Sequence, residues 1–397
     1  MDLRQVRLKE HATAVGVALS LDEVAFLGGA SAGLTILATN KTGRYDVRAS
    51  ERVGVLTGPT LTAIIEPKVS IANLLMLLGY GTAFDLGSAT QLGNDADLVE
   101  AMADAYAGAL ERALRTGGLV SSYHSSIEDV SIPRGRVDWL ALETRRFGLF
   151  PPVPCHVSDL TVDTELNRRL LAAAVTMARL VSWRGSRGEK LQRLLANFVG
   201  VENRHHSDAS LTPIHLDRRT ERFRQALSLA EAILRGASFC LREGTVLAPG
   251  FLVDMNKVFE QFVIRLLDEE VQPFGHEVQD HPPGFYLDVQ GRLDVKPDGL
   301  LVDGHGRRVV VVDAKYKSTA AGRVNDVYQM VAYCTALGLT RAALVYAEAK
   351  DTVHEIVNSP CVVSVFGVDL SRDAADLKRR LGEIGRALIG PQVALAS

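Results

Sequence analysis

Two stretches decide the fold of this chain: Leu293-Asp294-Val295-Lys296-Pro297-Asp298 and Val309-Val310-Val311-Val312-Asp313-Ala314-Lys315. Both contain residues that favour β-strands, and the segment 303–306, Asp-Gly-His-Gly, lies between them. The two glycines of that segment can adopt the positive φ angles that a tight turn requires. The pattern therefore predicts two paired strands joined by a turn.

Three charged side chains are expected to meet at the ends of these strands. Because successive side chains on a strand point to opposite faces, Asp313 and Lys315 share a face, and the hairpin brings Asp298 alongside them. Two carboxylates this close repel each other unless a proton or a divalent cation lies between them. A hard cation such as Mg2+ prefers carboxylate oxygens and keeps several waters, which suits chemistry on a phosphodiester.

The pattern thus predicts a centre for metal-assisted phosphodiester hydrolysis. In that centre the lysine would orient an attacking water or offset the charge that develops on the phosphate. A strand that simply ends in solvated charges is the alternative interpretation.

A helix is predicted downstream over residues 325–334, with Asn325 or Asp326 as its N-cap. Gln329 and Tyr333 are four residues apart, so they are neighbours on one face of that helix. Side by side, an amide and a phenol can hold a phosphate or a base next to a metal ion. For this pair alone, a helix with an ordinary mixed surface is the preferred interpretation.

A second helix is predicted upstream, over residues 255–267. Its apolar residues form one stripe, at positions 258, 259, 262, 263, 266 and 267. Glu260 borders this stripe, so its carboxylate could reach a site at the edge of the sheet. An ordinary solvated glutamate is the alternative.

Several short motifs resemble those of known nucleases. Pro297-Asp298, Asp313-Ala314-Lys315 and Gln329-x-x-x-Tyr333 are similar to the PD-(D/E)xK nuclease pattern with the Q-x-x-x-Y extension of RecB-like nucleases. More narrowly, the chain resembles the McrC family, the nuclease subunits of modification-dependent restriction systems. The supporting phrases follow the family's order and occupy residues 65–69 (Ile-Glu-Pro-Lys-Val), 73–80, 135–138, 256–263, 313–317 and 326–333.

This resemblance implies a role for each residue of the predicted site. The residues are the helix acid Glu260, the metal ligands Asp298 and Asp313, the catalytic lysine Lys315, and the accessory pair Gln329 and Tyr333. Lys317 has the same strand parity as Lys315, but the spacing of the motif favours Lys315.

The resemblance further implies a Mg2+-dependent endonuclease that cuts double-stranded DNA in complex with McrB, a separate hexameric AAA+ GTPase. In that family the N-terminal part docks on the motor and stimulates GTP hydrolysis, and the target is modified DNA of the 5-methylcytosine type. Two alternatives stay open. One is a stand-alone RecB-like repair nuclease, and the other is a non-catalytic activator of an AAA+ motor.

The predicted fold class is α/β, in three parts. Residues 1–155 are expected to form a β-rich N-terminal domain, with the proline cluster at 151–154 as the boundary signal, and the resemblance implies that this domain docks on the AAA+ partner. Residues 156–248 form a helical middle region. Residues 249–397 form a core like that of PD-(D/E)xK restriction endonucleases, in which helix, hairpin, helix and strand follow one another.

Composition supports two or three domains, because the chain has 397 residues and 47% of them are hydrophobic. The four cysteines are scattered without C-x-x-C pairs, so neither a disulfide framework nor a zinc site is indicated. The first ten residues are charged and contain no signal-peptide core. Since no apolar run reaches the ~18 residues that would span a membrane, we expect a cytoplasmic protein without membrane contact.

A net charge of -3 is unusual for a protein that binds DNA alone, because basic residues normally neutralise the phosphates. Either the positive charge is local, or a partner holds the DNA. The local candidates are Arg168-Arg169, residues 184–193, and Arg218-Arg219 with Arg222 and Arg224. Solvated helix faces explain these clusters equally well, and we expect dependence on a partner.

Two further motifs are set aside. Residues 28–35 nearly match a phosphate-binding P-loop, but Leu34 occupies the lysine position, so this chain itself is not expected to bind a nucleotide. His276 and His281 lack the spacing of a metal site and are expected to be ordinary loop histidines.

Overall fold

The computed structural model describes residues 4–29, 33–79, 98–147, 149, 151–181, 186–204, 211–238, 250–318 and 324–390. Residues 30–32 of the P-loop-like stretch and residues 184–185 of the predicted basic run lie outside this set. The chain divides into two units, one of which combines Met1–Ala105 with Phe239–Ser397, while the other is Tyr106–Ser238. The three-part division predicted from the sequence stays a prediction, but parts of its first and last segments fall in the same unit.

The N-terminal segment of the first unit is rich in strands. Its elements are β1 (Arg4–Lys9), β2 (Thr13–Ala18), α1 (Leu21–Leu27), β3 (Leu34–Ala38), β4 (Arg44–Ala49), β5 (Arg52–Thr57), β6 (Leu61–Glu66) and α2 (Ile71–Leu78), followed by α3 (Leu98–Arg115), which crosses the unit boundary. Ser20 and Ser70 begin α1 and α2, because each hydroxyl accepts a hydrogen bond from the backbone N–H three residues later.

The second unit combines a small antiparallel sheet with helices. After α3 its elements are β7 (Ser122–Val130), β8 (Arg136–Val137), α4 (Trp139–Arg146), β9 (Val153–Thr161), α5 (Glu165–Val181), α6 (Ser186–Leu195) and α7 (Arg224–Ser238). The strand order is β7-β9-β8. Helices α5, α6 and α7 lie within residues 156–248, for which a helical region is predicted, but β9 extends into the start of that region.

The C-terminal segment of the first unit contains the predicted site. Its elements are β10 (Gly250–Asp254), α8 (Met255–Val271), β11 (His276–Asp280), β12 (Phe285–Tyr286), β13 (Asp294–Val295), β14 (Gly299–Asp303), β15 (Arg308–Ser318), α9 (Val324–Leu337), β16 (Arg341–Glu348), β17 (Thr352–Glu355), β18 (Val362–Gly367) and α10 (Ala374–Ile389). Together with the N-terminal strands they give the mixed α/β architecture that the sequence predicts.

One four-stranded sheet joins the two segments of the first unit. Its strand order is β1-β6-β5-β10, so a strand that leads into α8 pairs with strands from the N-terminal segment. Asp254 caps α8 by accepting hydrogen bonds from the backbone of the first turn. The backbone N–H of Met255 donates to the carbonyl oxygen of Glu51 at 3.1 Å. The start of α8 is therefore fixed by the N-terminal segment.

A six-stranded mixed sheet, in the order β11-β14-β15-β16-β18-β17, lies at the centre of the C-terminal segment. Val311 and Leu344 face α9, where they share a core cluster with Met330. Tyr316 faces the other way and contacts Phe259 of α8. Helices thus cover both faces of the sheet, and the alternation of side chains along β15 assigns its residues to one face or the other.

The predicted hairpin is present, but its first strand is shifted along the chain. The strand that pairs with β15 is β14, and the turn between them contains the predicted glycines. Within the predicted strand 293–298, only Asp294 and Val295 are extended and paired, and their partners are Phe285 and Tyr286. Pro297 has no N–H to donate to a ladder, which is why pairing with β15 begins only after it.

Candidate metal centre

Asp298, directly before β14, lies beside Asp313, in the middle of β15. The antiparallel register pairs Gly299 with Val312, so one further step along each strand sets Asp298 opposite Asp313. Oδ2 of Asp298 accepts a hydrogen bond from the backbone N–H of Ala314 at 2.8 Å, which fixes this carboxylate against β15. The structure therefore brings together the two carboxylates that the motif predicts as neighbours.

Lys315 and Lys317 have different partners, although alternation along β15 gives them the same parity. Nζ of Lys315 lies 2.5 Å from Oδ2 of Asp313. Nζ of Lys317 lies 2.7 Å from Oδ2 of Asp326, and Oη of Tyr346 donates to the same oxygen at 2.6 Å. Asp326 lies in the first turn of α9 rather than at its predicted N-cap. Of the two lysines, Lys315 is the one that joins the carboxylate pair.

A third carboxylate and an imidazole lie beside Asp298. Nε2 of His281 lies 2.8 Å from Oε1 of Glu260, on α8. The backbone N–H of His281 donates to the carbonyl oxygen of Asp298 at 3.0 Å. One ligand atom from each of Glu260, His281 and Asp298 lies within 4.8 Å of the other two, so these residues could hold a metal ion. Asp313 is not a member of this group of three.

His281 is the site residue that the sequence did not predict. It was expected to be an ordinary loop histidine because no other metal ligand stands at a suitable spacing near it. The register of β11 with β14 pairs Asp280 with Gly299, and the next step sets His281 opposite Asp298. Knowledge that β11 pairs with β14 would have identified His281 as a site residue. That pairing cannot be predicted from the spacing of residues near His281.

Burial and mutual repulsion raise the pKa values of the three carboxylic acids. Burial is the main cause for Asp298, whose pKa rises to about 6, and the charge of Glu260 adds to it. Burial also raises the pKa of Asp313 to about 7, with a contribution from Asp298. For Glu260, burial raises the pKa against the opposing effect of His281. Carboxylates whose charge is this poorly compensated favour a proton or a cation among them.

The donor set fits a divalent cation. Asp313 is fully buried, and its Oδ1 has no hydrogen-bond partner in the part of the chain that the structure describes. A buried carboxylate oxygen in that state is costly unless a cation or a proton satisfies it. Three carboxylates supply the hard oxygen ligands that Mg2+ and Mn2+ prefer, whereas the imidazole of His281 is a donor more usual for transition metals.

Gln329 and Tyr333 hold the chain just before Asp298. Nε2 of Gln329 donates to Oη of Tyr333 at 2.7 Å, and Oη of Tyr333 donates to the carbonyl oxygen of Lys296 at 2.8 Å. The two side chains are neighbours on α9, as their spacing predicts. Their polar atoms support the backbone two residues before Asp298.

The basic clusters proposed from the sequence are largely ion-paired where they are described. Arg169 is fully buried, and its guanidinium lies 2.9 Å from Glu165 and 2.9 Å from Glu231. Arg168 lies 2.6 Å from Asp163. These two arginines therefore stabilise the second unit, and their charges are compensated within it.

None of the helices in the described part of the chain combines the length and the apolar character that a membrane crossing needs.

Comparison with known proteins gives a family and a fold. No curated protein matches the chain significantly. One solved chain is similar over 96% of this chain and 100% of its own length, with 17% sequence identity and a TM-score of 0.53. It belongs to a half-complex from a tetradecameric assembly of Thermococcus gammatolerans McrB AAA+ hexamers with bound McrC. At this identity the similarity concerns the fold alone.

A second solved chain, from the Thermococcus gammatolerans McrBC complex, is 21% identical, covers 67% of this chain and 88% of its own length, and has a TM-score of 0.42. The sequence also matches, over residues 47–347, the family described as McrBC 5-methylcytosine restriction system component. Because that match spans more than half of the 397 residues, the chain belongs to the McrBC 5-methylcytosine restriction system component family.

Proposed function

We propose that this chain is the Mg2+-dependent DNA endonuclease subunit of a modification-dependent restriction complex. The observation that carries the proposal is the convergence of Asp298, Asp313 and Lys315 where β14 begins beside β15, with Glu260 close to Asp298. Family membership supports the same conclusion. We further propose that the six-stranded sheet with α8 and α9 is a PD-(D/E)xK nuclease core.

In this proposal the acidic side chains hold the cation and the lysine acts on the substrate. Bound Mg2+ would stabilise negative charge on the phosphate and lower the pKa of a water molecule. Asp298 and Asp313 are fixed by β14 and β15, and Glu260 approaches them from α8. The side chain of Lys315 is 23% exposed, so its ammonium group can reach a phosphate or a water at the surface of the site.

We also propose that the chain works with an McrB-like hexameric AAA+ GTPase and that residues 1–155 contribute the docking surface. The similar Thermococcus gammatolerans chain comes from an assembly of McrB hexamers with bound McrC, which supports this choice of partner. The net charge of -3 and the ion pairing of Arg168 and Arg169 support a partner that helps to hold the DNA.

The test is a cleavage assay with this chain and its proposed McrB-like AAA+ GTPase partner. Plasmid DNA with and without 5-methylcytosine is incubated with Mg2+ and GTP, with each protein alone and with both. We expect cutting of the modified plasmid only when both proteins and GTP are present. Asp313→Asn, which keeps the shape of the side chain but removes its charge, should lower the cutting rate by about a hundredfold or more.

Each other outcome identifies a different function. Cutting by the wild-type chain without a partner would favour the stand-alone RecB-like nuclease. Stimulation of GTP hydrolysis without any cutting would favour the non-catalytic activator.

A further inference from the structure

Glu10 is a buried carboxylate outside the metal centre, directly after β1. It is 2% exposed. Its Oε2 accepts a hydrogen bond from Oη of Tyr316 at 3.1 Å and another from the backbone N–H of Lys68 at 3.3 Å. Its Oε1 lies 3.3 Å from Nε2 of His11 and has no hydrogen-bond partner among the described residues. Burial of a carboxylate costs free energy, so the hydrogen bonds that Glu10 accepts from Tyr316 and Lys68 are strong.

The sequence phrase at residues 65–69 builds the surroundings of this carboxylate. The carbonyl oxygen of Glu66 accepts a hydrogen bond from the backbone N–H of Glu10 at 2.9 Å. The backbone N–H of Lys68 donates to the side chain of Glu10. The motif at residues 65–69 takes no part in the proposed chemistry. Its role in the structure is to fix the position of Glu10.

Tyr316 contacts Glu10 and belongs to β15, which carries Asp313 and Lys315, and its ring packs on α8, which carries Glu260. It follows Lys315 on β15, with its ring on the opposite face of the sheet. Its ring centroid lies 6.0 Å from that of Phe259, the residue before Glu260 on α8. A phenol that packs on α8 and is held at its hydroxyl by Glu10 limits how far β15 can move relative to α8.

We propose that Glu10 is a positioning residue for the metal centre, acting through Tyr316 on the strand that carries Asp313 and Lys315. The proposal rests on the nuclease function proposed above. It assigns to the N-terminal segment a part in holding the cleavage site, in addition to any docking on a motor. The carboxylate itself does not touch the substrate or the cation.

The inference is tested with Glu10→Ala, Glu10→Gln and Tyr316→Phe in the complete chain together with its AAA+ partner. Asn73→Ala is the matched control, because Nδ2 of Asn73 also links the N-terminal and C-terminal segments, donating at 2.6 Å to the carbonyl oxygen of Leu370 rather than to β15. The readouts are the single-turnover cleavage rate at saturating Mg2+, the Mn2+ affinity of the protein without DNA, and the stimulated GTPase rate.

We expect Glu10→Ala and Tyr316→Phe to lower the cleavage rate and the Mn2+ affinity about tenfold, since small displacements of reacting groups have large effects on rate. Glu10→Gln keeps a hydrogen-bond acceptor for Tyr316, so it should retain most of the cleavage rate and most of the Mn2+ affinity. The control variant should change neither quantity, and the GTPase rate should be unchanged in every variant.

The inference is overturned if a wild-type chain that cleaves DNA is unaffected by Glu10→Ala, or if Asn73→Ala causes the same loss. A joint loss of cleavage and GTPase stimulation would also overturn it, because that result indicates a docking role. If the wild-type chain does not cleave, the proposed function fails. The Mn2+ affinities then decide the inference, and equal affinities in all variants, or no Mn2+ binding at all, would count against it.

Discussion

Lys315 and Lys317 contact different carboxylates, and this difference predicts different effects of mutation. We expect Lys315→Ala to lower the cleavage rate about a hundredfold or more, because it removes a positive charge beside the reacting phosphate. Lys317 pairs instead with Asp326. Lys317→Ala should therefore destabilise the fold by about 1 kcal/mol, while the rate per folded molecule stays within about threefold. Single-turnover cleavage and urea unfolding measure the two effects, and equal rate losses would contradict the assignment.

The pKa values of Asp298 and Asp313 predict how metal binding depends on pH. Burial and repulsion raise these values from 3.8 to about 6 and about 7. Below those values each group holds a proton that a cation must displace. We expect the Mn2+ affinity, measured by calorimetry, to fall about tenfold from about pH 8 to about pH 6. A pH-independent affinity across that window would contradict the raised pKa values.

The same shifts predict the opposite pH dependence for the stability of the metal-free protein. A carboxyl group whose pKa is raised in the folded state binds its proton more tightly there than in the unfolded chain. Folding is therefore more favourable as the pH falls from about 8 towards the ordinary pKa, and stability is lost as the pH rises through the raised values. With EDTA present, Tm should be higher at about pH 6 than at about pH 8. The double variant Asp298→Asn, Asp313→Asn should reduce that difference.

Among the elements, the β14–β15 hairpin shows what local sequence can specify. The valine run and the glycine-containing turn predict β15 and its partner, and strand alternation predicts that Asp313 and Lys315 share a face. The position of the first strand was wrong, because residues 293–298 alternate apolar and charged side chains as a half-buried strand does, whereas the apolar run at 299–303 is the segment that pairs with β15. What separates them is Pro297 and the pairing of β13 with β12, and the second of these is a tertiary contact.

His281 and Glu10 could not be predicted from local sequence for a related reason. His281 reaches Asp298 because β11 pairs with β14, and Glu10 reaches Tyr316 because strands from both segments of the chain form one unit. Neither residue has a suitable partner at a short spacing. By contrast, Gln329 and Tyr333 are one helical turn apart, and their proximity could be predicted without knowing the fold.

The pair on α9 predicts the effect of removing one hydroxyl group. Tyr333→Phe deletes the donor to the carbonyl oxygen of Lys296 and the acceptor for Gln329. We expect a loss of about 1 to 2 kcal/mol in the free energy of unfolding, because a partly buried carbonyl and amide lose a partner. Because the freed backbone leads directly to Asp298, Mn2+ affinity should also fall. Gln329→Ala should lower both quantities less, and an unchanged Mn2+ affinity in Tyr333→Phe would contradict the supporting role.

For the molecule as a whole, the four-stranded sheet decides which segments fold together. β5 and β10 are far apart in sequence but pair along their length, and β10 leads directly into α8, which carries Glu260. The N-terminal segment therefore contributes to the same unit as the metal centre. A chain that lacked it would lose both a sheet partner for β10 and the contact between Glu10 and Tyr316.

Gly54 tests the importance of this sheet for the stability of the whole unit. Its φ of +140° suits glycine, and a Cβ atom there would lie 2.0 Å from the carbonyl oxygen of Phe251 on β10. We expect Gly54→Ala to lower the free energy of unfolding by about 3 kcal/mol or more, since backbone atoms must move apart. Gly16 is the matched control, with a φ of +67° and open space around it, so Gly16→Ala should cost only about 1 kcal/mol. Similar urea midpoints for the two variants would contradict the close approach of β5 and β10.

The proposed division of labour within the complex can be tested with Asp313→Asn. Asp313 is fully buried in the middle of β15, and the charged groups that act on it most are Asp298 and Lys315 of the metal centre. The substitution keeps the volume of the side chain, so the fold and any surface that docks on the AAA+ partner should be preserved. We expect DNA cleavage to be lost while stimulated GTP hydrolysis stays within about twofold of the wild-type rate, since catalysis and docking use different atoms. The control is that the variant unfolds at the same urea concentration as the wild type. If such a variant loses both DNA cleavage and stimulated GTP hydrolysis, the metal centre also controls the motor, and the proposed separation of the two activities is wrong.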